Sequence, residues 1–165
     1  MNACLTCDEQ LVYLIGGRNS RKYAQTYDQR TGKWQAIART SGIYELGACC
    51  AGKGKIHVSG GLRRFTMETY DPIAGKWDEL RYSPMIESCF GNQMISLDED
   101  NCLIISAQAK SYEDLLCWNA SNDCHILSPS LREAVLLNSP PCLANLNNSF
   151  IISVVNMAAY KPCGY

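Results

Sequence analysis

The chain has 165 residues, 47 % of them hydrophobic, with a formal net charge of −1 and a pI near 6.1. That length supports one domain with a buried core, and the near-neutral balance excludes the basic field that holds nucleic acid or an acidic membrane surface. Two His residues leave little for metal chemistry, and neither a long apolar run nor a charged-then-apolar leader is present, so we expect no cofactor, no metal, no membrane span and no signal peptide, and a cytoplasmic protein with the nucleus as a second compartment.

Taken in chain order, residues 2–7 supply a first strand. Leu11-Val12-Tyr13-Leu14-Ile15 is apolar without alternation, which suits a strand covered on both faces. Gly16-Gly17 ends it, giving the backbone conformations and close approach that a side chain would forbid. A polar loop follows, then a strand ending in Tyr27. Asp28-Gln29-Arg30-Thr31-Gly32 is hairpin chemistry: Asp opens the turn and Gly accepts the left-handed conformation that returns the chain into a partner strand beginning at Trp34.

After the connection Arg39-Thr40-Ser41-Gly42 the pattern returns. A first strand spans Leu46 to Ala51 and a second Lys55 to Ser59, followed by Gly60-Gly61, Tyr70, Asp71-Pro72-Ile73-Ala74-Gly75 and Trp77. Tyr27 and Tyr70 lie 43 residues apart, as do Trp34 and Trp77, while Gly16 and Gly60 lie 44 apart. Two matching copies fix a period, so the chain is a repeat protein. The Tyr and Trp of each copy face each other across the turn as large plates packed between sheets, their O–H and N–H reaching backbone acceptors.

A third copy keeps the strand spacing and loses the signature. Ser88 to Ile95 matches a first strand and Cys102 to Ile105 a second, but Ser106-Ala107 stands where the double glycine belongs, Trp118-Asn119 replaces Tyr-Asp, and His125 falls on the Trp position. The backbone after Ile105 should differ, because Ala is strained where Gly is not. A fourth start is visible in Pro141 to Leu146 and Ser149 to Val154.

Double glycine, Tyr-Asp-Pro and Gly-Lys-Trp in this order resemble the kelch repeat, with Gly16, Gly17, Tyr27, Trp34, Gly60, Gly61, Tyr70 and Trp77 as the signature. The WD40 pattern is absent, since Trp77-Asp78 opens a strand instead of closing one. The resemblance implies an all-β chain, a partial kelch-type β-propeller of about three and a half four-stranded blades over residues 1–165, with blades at about 1–39, 44–83 and 86–128 and a partial one at 140–160. Propellers usually close with about four to eight blades. A fragment of a longer kelch protein is therefore the expectation, with closure by association as the alternative.

No nucleophile elbow, phosphate loop or HExxH motif appears, so we expect no catalytic residues and no enzyme. The ten cysteines sit mostly in apolar strand-like runs and read as reduced, buried thiols; Cys4 and Cys7 form one CxxC with no second pair at zinc spacing. His57 and His125 read as packed, hydrogen-bonded residues, which makes a copper oxidase-like propeller a remote alternative. In kelch domains that bind proteins, the loop after the double glycine and the connections between blades supply contacts. By that resemblance the partner-binding candidates are Arg18, Asn19, Ser20, Arg21, Arg63 and Arg64, joined by Tyr44 and Tyr82 from the connections. Arg forks suit an acidic segment of a protein partner. The resemblance extends to BTB-kelch proteins, which recruit substrates to cullin RING ubiquitin ligases; the BTB region that would bind cullin is absent from these residues. An actin-binding or cytoskeletal scaffold is the alternative, and a solvated charged turn is the plain reading of the Arg loops.

Overall fold

The computed structural model describes residues 3–45, 47–60, 67–80, 90–98, 101–108, 121–128 and 133–137. Among the described residues twelve strands form three antiparallel four-stranded sheets, and no helix occurs. The first sheet holds β1 (Ala3–Cys7), β2 (Leu11–Gly16), β3 (Ala24–Asp28) and β4 (Lys33–Ala36). The second holds β5 (Ala48–Gly52), β6 (Lys55–Ser59), β7 (Met67–Asp71) and β8 (Lys76–Leu80). The third holds β9 (Phe90–Ser96), β10 (Cys102–Gln108), β11 (Ser121–Ser128) and β12 (Glu133–Leu137). Each sheet is a meander in which consecutive strands are neighbours, and β5 lies between β1 and β9, so the first strands of the three sheets stand side by side. Among the described residues no helix is long and apolar enough to cross a membrane.

The unalternating apolar runs become strands covered on both faces. In β6, Ile56 to Ser59 are buried without interruption, whereas β4 is exposed along its whole length. One core cluster joins the first two sheets through Cys4, Tyr13, Ile15, Tyr44, Cys49, Val58 and Tyr70; a second joins the next seam through Cys50, Met67, Cys102 and Ile104. Tyr13 and Tyr70 meet edge to face with ring centroids 6.4 Å apart. Burial pushes the Tyr13 hydroxyl far above its ordinary pKa, and that hydroxyl donates to Asp8 Oδ2 at 2.9 Å.

The two hairpin turns are built alike. Asp28 Oδ1 accepts from the N–H groups of Arg30 and Thr31 at 2.8 and 3.3 Å, and Gly32, at φ 68°, donates its N–H to the Asp28 carbonyl at 2.8 Å. Asp71 Oδ1 accepts from Ile73 and Ala74 at 2.9 and 3.0 Å, with Gly75 at φ 66° closing the same ring. These bonds hold both carboxyls below the ordinary Asp value, led by the Thr31 side chain at Asp28 and the Ala74 N–H at Asp71. The turns place Tyr27 opposite Trp34 and Tyr70 opposite Trp77, with ring centroids 5.2 and 5.0 Å apart.

The spacer reading holds for one tryptophan and not the other. Trp77 Nε1 donates to the Ala38 carbonyl at 2.7 Å, tying the second sheet to the segment after β4. Trp34 is 53 % exposed, because its side of the first sheet carries no neighbouring sheet among the described residues.

The third sheet departs from the sequence expectation. His125 lies in β11 opposite Ile104, one strand earlier than the Trp position, and the outermost strand is β12, so this sheet runs to Leu137, past the boundary at 128. The strand expected to end at Ile105 continues through Gln108, with a register irregularity between Ile105 and Ala107. Ser106 and Ala107 lack the freedom of a double glycine, so the backbone stays extended and keeps pairing with β11. Trp118 and the partial blade at 140–160 lie outside the described residues.

His57 is 5 % exposed, with Nδ1 2.8 Å from Thr69 Oγ1. Burial, aided by Lys55, pulls its pKa down to about 4, so the folded chain keeps this ring neutral where the unfolded chain protonates it near 6.5. The unfolded state then binds more protons between these values, and stability falls as pH drops from 6.5 towards 4, by on the order of 3 kcal/mol in full. Urea unfolding at pH 7 and pH 5 should show about 2 kcal/mol of this loss, and His57→Gln should flatten it. A second prediction concerns Gly16, at φ 71°, where an added Cβ would stand 1.8 Å from the Tyr44 carbonyl oxygen. Gly16→Ala should abolish cooperative unfolding, while Gly75→Ala, which meets nothing within 4 Å, should cost about 1–2 kcal/mol in the same assay.

Candidate protein-interaction surface

The surface begins where β2 ends. Gly16 donates its N–H to the Tyr23 carbonyl at 2.8 Å and Gly17 to the Tyr44 carbonyl at 2.8 Å, so the chain turns out of the sheet and at once meets the connection between the first two sheets. Within the loop, Ser20 donates to the Gly17 carbonyl at 3.1 Å and Tyr23 to the Ser20 carbonyl at 2.7 Å. The connection bonds back: the Tyr44 N–H reaches the Arg21 carbonyl at 3.0 Å and the Thr40 N–H the Lys22 carbonyl at 3.1 Å. The Thr40 hydroxyl, 3.3 Å from the Lys22 carbonyl and 3.0 Å from the Gly42 carbonyl, closes the frame.

One carboxylate anchors this frame to the second sheet. Glu68, on β7, is 1 % exposed and accepts from the Ser41 N–H at 2.9 Å, the Gly42 N–H at 2.6 Å and the Tyr44 hydroxyl at 3.0 Å. A buried carboxylate is tolerated only with such donors, and bonds to a charged acceptor are the strong ones. Three donors from one loop therefore make Glu68 the fixed point between the sheets.

From the frame the side chains of residues 18–23 project outward, every one exposed. Arg18, Arg21, Lys22 and Arg39 make the surface basic. Arg39 lies over the Tyr23 ring at 4.3 Å and donates from Nη2 to the Tyr23 hydroxyl at 2.7 Å, which orients its remaining donors. Arg21 Nε stands 3.8 Å from Glu45 Oε2, a carboxylate at the buried base of the loop.

Arg18, Asn19, Ser20 and Arg21 lie together on one exposed loop. Tyr44 is not part of it: with no exposed surface, its ring packs in the core and its hydroxyl is spent on Glu68, so the interface role is replaced by a structural one. Arg63, Arg64, Gly61 and Tyr82 lie outside the described residues. The sequence reading missed Tyr23 and Glu68. The local signal for Glu68 is a carboxylate inside Met67-Glu68-Thr69-Tyr70, a strand that carries apolar and aromatic side chains on either side of it.

No protein-family model matches the chain, and no curated protein matches it. Among solved structures, YjhT superposes with a TM-score of 0.67 over 85 % of this chain at 14 % identity, and the chain spans 52 % of that protein's length. This likeness is one of fold alone: successive antiparallel four-stranded sheets in a β-propeller-like arrangement.

Glu68→Ala should destabilise the chain by on the order of 3 kcal/mol or more, since it strands three donors, while Tyr44→Phe, which removes one bond and keeps the ring, should cost about 1–2 kcal/mol. Denaturant unfolding of both variants beside the parent checks the ranking; equal losses would contradict it.

Proposed function

We propose that the chain is part of a kelch-type β-propeller, about three and a half blades of one, that acts as a protein-interaction module, and that in its parent protein it is the substrate-recognition propeller of a BTB-kelch adaptor for a cullin RING ubiquitin ligase. The observation that carries the binding role is the exposed basic run from Arg18 to Tyr23, joined by Arg39, on a frame of backbone hydrogen bonds. A pre-ordered loop loses little entropy on binding, so its guanidinium forks can capture carboxylates without first being organised. The repeat signature supports the kelch assignment: the Asp-to-Gly turns and the Tyr–Trp pairs occupy equivalent places in the first two sheets. The adaptor assignment rests on the resemblance of these repeats to BTB-kelch proteins.

The partner chemistry that fits is an acidic peptide segment. Selection from a displayed random-peptide library on the purified chain should enrich Asp and Glu, and binding of a selected peptide should weaken as salt rises, because exposed ion pairs are screened. Reversing Arg18, Arg63 and Arg64 to Glu should lower that affinity at least ~10-fold while leaving the unfolding transition in place. Peptides without acidic bias, or an affinity unmoved by the triple reversal, would overturn the assignment.

A further inference from the structure

Strand β5 carries two adjacent thiols, Cys49 and Cys50, which alternation directs to opposite faces. Cys49 packs in the cluster that holds Cys4 of β1, and Cys50 in the cluster that holds Cys102 of β10. The second pair is close: Cys50 Sγ lies 3.4 Å from Cys102 Sγ, and the two residues are 4 % and 2 % exposed. Both are free thiols on neighbouring sheets, 52 positions apart in the chain. No role in packing requires two sulfurs to face each other across a seam, since any small apolar side chain would fill the space.

We propose that Cys50 and Cys102 form an oxidisable dithiol whose product is a disulfide joining the second and third sheets. The oxidant is a small hydroperoxide such as hydrogen peroxide. One thiol loses its proton and its sulfur attacks a peroxide oxygen; the O–O bond breaks, one water leaves, and a sulfenic acid remains. The other sulfur then attacks that sulfur, the S–O bond breaks, and the hydroxide departs as a second water with the proton of the attacking thiol. Two thiols lose two electrons and two protons, and one peroxide becomes two waters. Formation of the bond brings the sulfurs together by roughly 1.3 Å, within reach of small side-chain rotations.

The surroundings set the character of the reaction. The Cys50 thiol is pushed up by its hydrogen bond with Cys102 and by burial, so thiolate is scarce and oxidation is slow. Exclusion of bulky reagents favours a peroxide over a glutathione disulfide and shields the product from reductants in turn. Exposed Cys7 offers the internal contrast, open to both. Once formed, the bond ties two sheets and restricts the unfolded chain.

The test treats the full folded chain with hydrogen peroxide or, in parallel, with oxidised glutathione, blocks remaining thiols with N-ethylmaleimide in denaturant, and maps peptides by mass spectrometry. The expected result is a Cys50–Cys102 cross-linked peptide pair, lighter by two hydrogens, formed with peroxide, accompanied by a raised melting temperature and absent from the glutathione arm. In Cys102→Ala, dimedone added together with denaturant after the peroxide is removed should trap Cys50 as the sulfenic acid. Recovery of Cys50 and Cys102 as maleimide adducts after peroxide, or pairing of either with other cysteines at equal yield, overturns the proposal. The wild-type map decides the question by itself if an alanine variant folds poorly.

Discussion

The structure turns on the Glu68 carboxylate. It is a charge placed where water does not reach, and its presence there is tolerable because one loop delivers two backbone N–H groups and a hydroxyl to it. The consequence runs in two directions. Inward, the bonds fix Tyr44, whose ring fills the seam between the first two sheets and whose carbonyl receives Gly17. Outward, they fix residues 40–44, against which the exposed loop 18–23 is stitched. The basic surface thus inherits its order from a carboxylate that it never touches.

A second tie across the same seam comes from Trp77, whose indole N–H reaches Ala38. Glu68 and Trp77 belong to neighbouring strands of one sheet and bond the beginning and the middle of one connecting segment. Sheets that share no backbone ladder are thereby held in a defined relation by side chains alone. The core clusters add non-directional burial, whereas the polar ties fix the register between sheets. Burial and polar ties act on the same seam for different reasons, and neither replaces the other.

What could be read from the sequence was local. The Asp-to-Gly turns specify their own hydrogen bonds within five residues, and the pairing of Tyr27 with Trp34 follows from the turn between them. The double glycine at Gly16 marks a close approach, though only the fold shows that Tyr44 is what approaches. Relations between distant residues were not legible. Glu68 and its partners are separated by 24 to 27 residues, so nothing in the local pattern joined them. Tyr44 carried the same ambiguity, since an aromatic residue in a connecting loop serves equally as a contact or as a core plug. In the third sheet an interval alone misplaced His125, because seven residues separate a Tyr–Trp pair only when a turn of the right chemistry lies between.

The hold of Glu68 on the connection is read most directly by hydrogen exchange of the Ser41 and Gly42 amides, followed residue by residue in the parent and in Glu68→Gln. A carboxylate offers an acceptor oxygen to each amide, whereas a carboxamide keeps only one. Both amides should be strongly protected in the parent, and at least one should exchange markedly faster in the variant, with the amides of β2 unchanged. Equal exchange in the two proteins would mean that the connection holds its place without Glu68, contrary to the anchoring role assigned to that carboxylate.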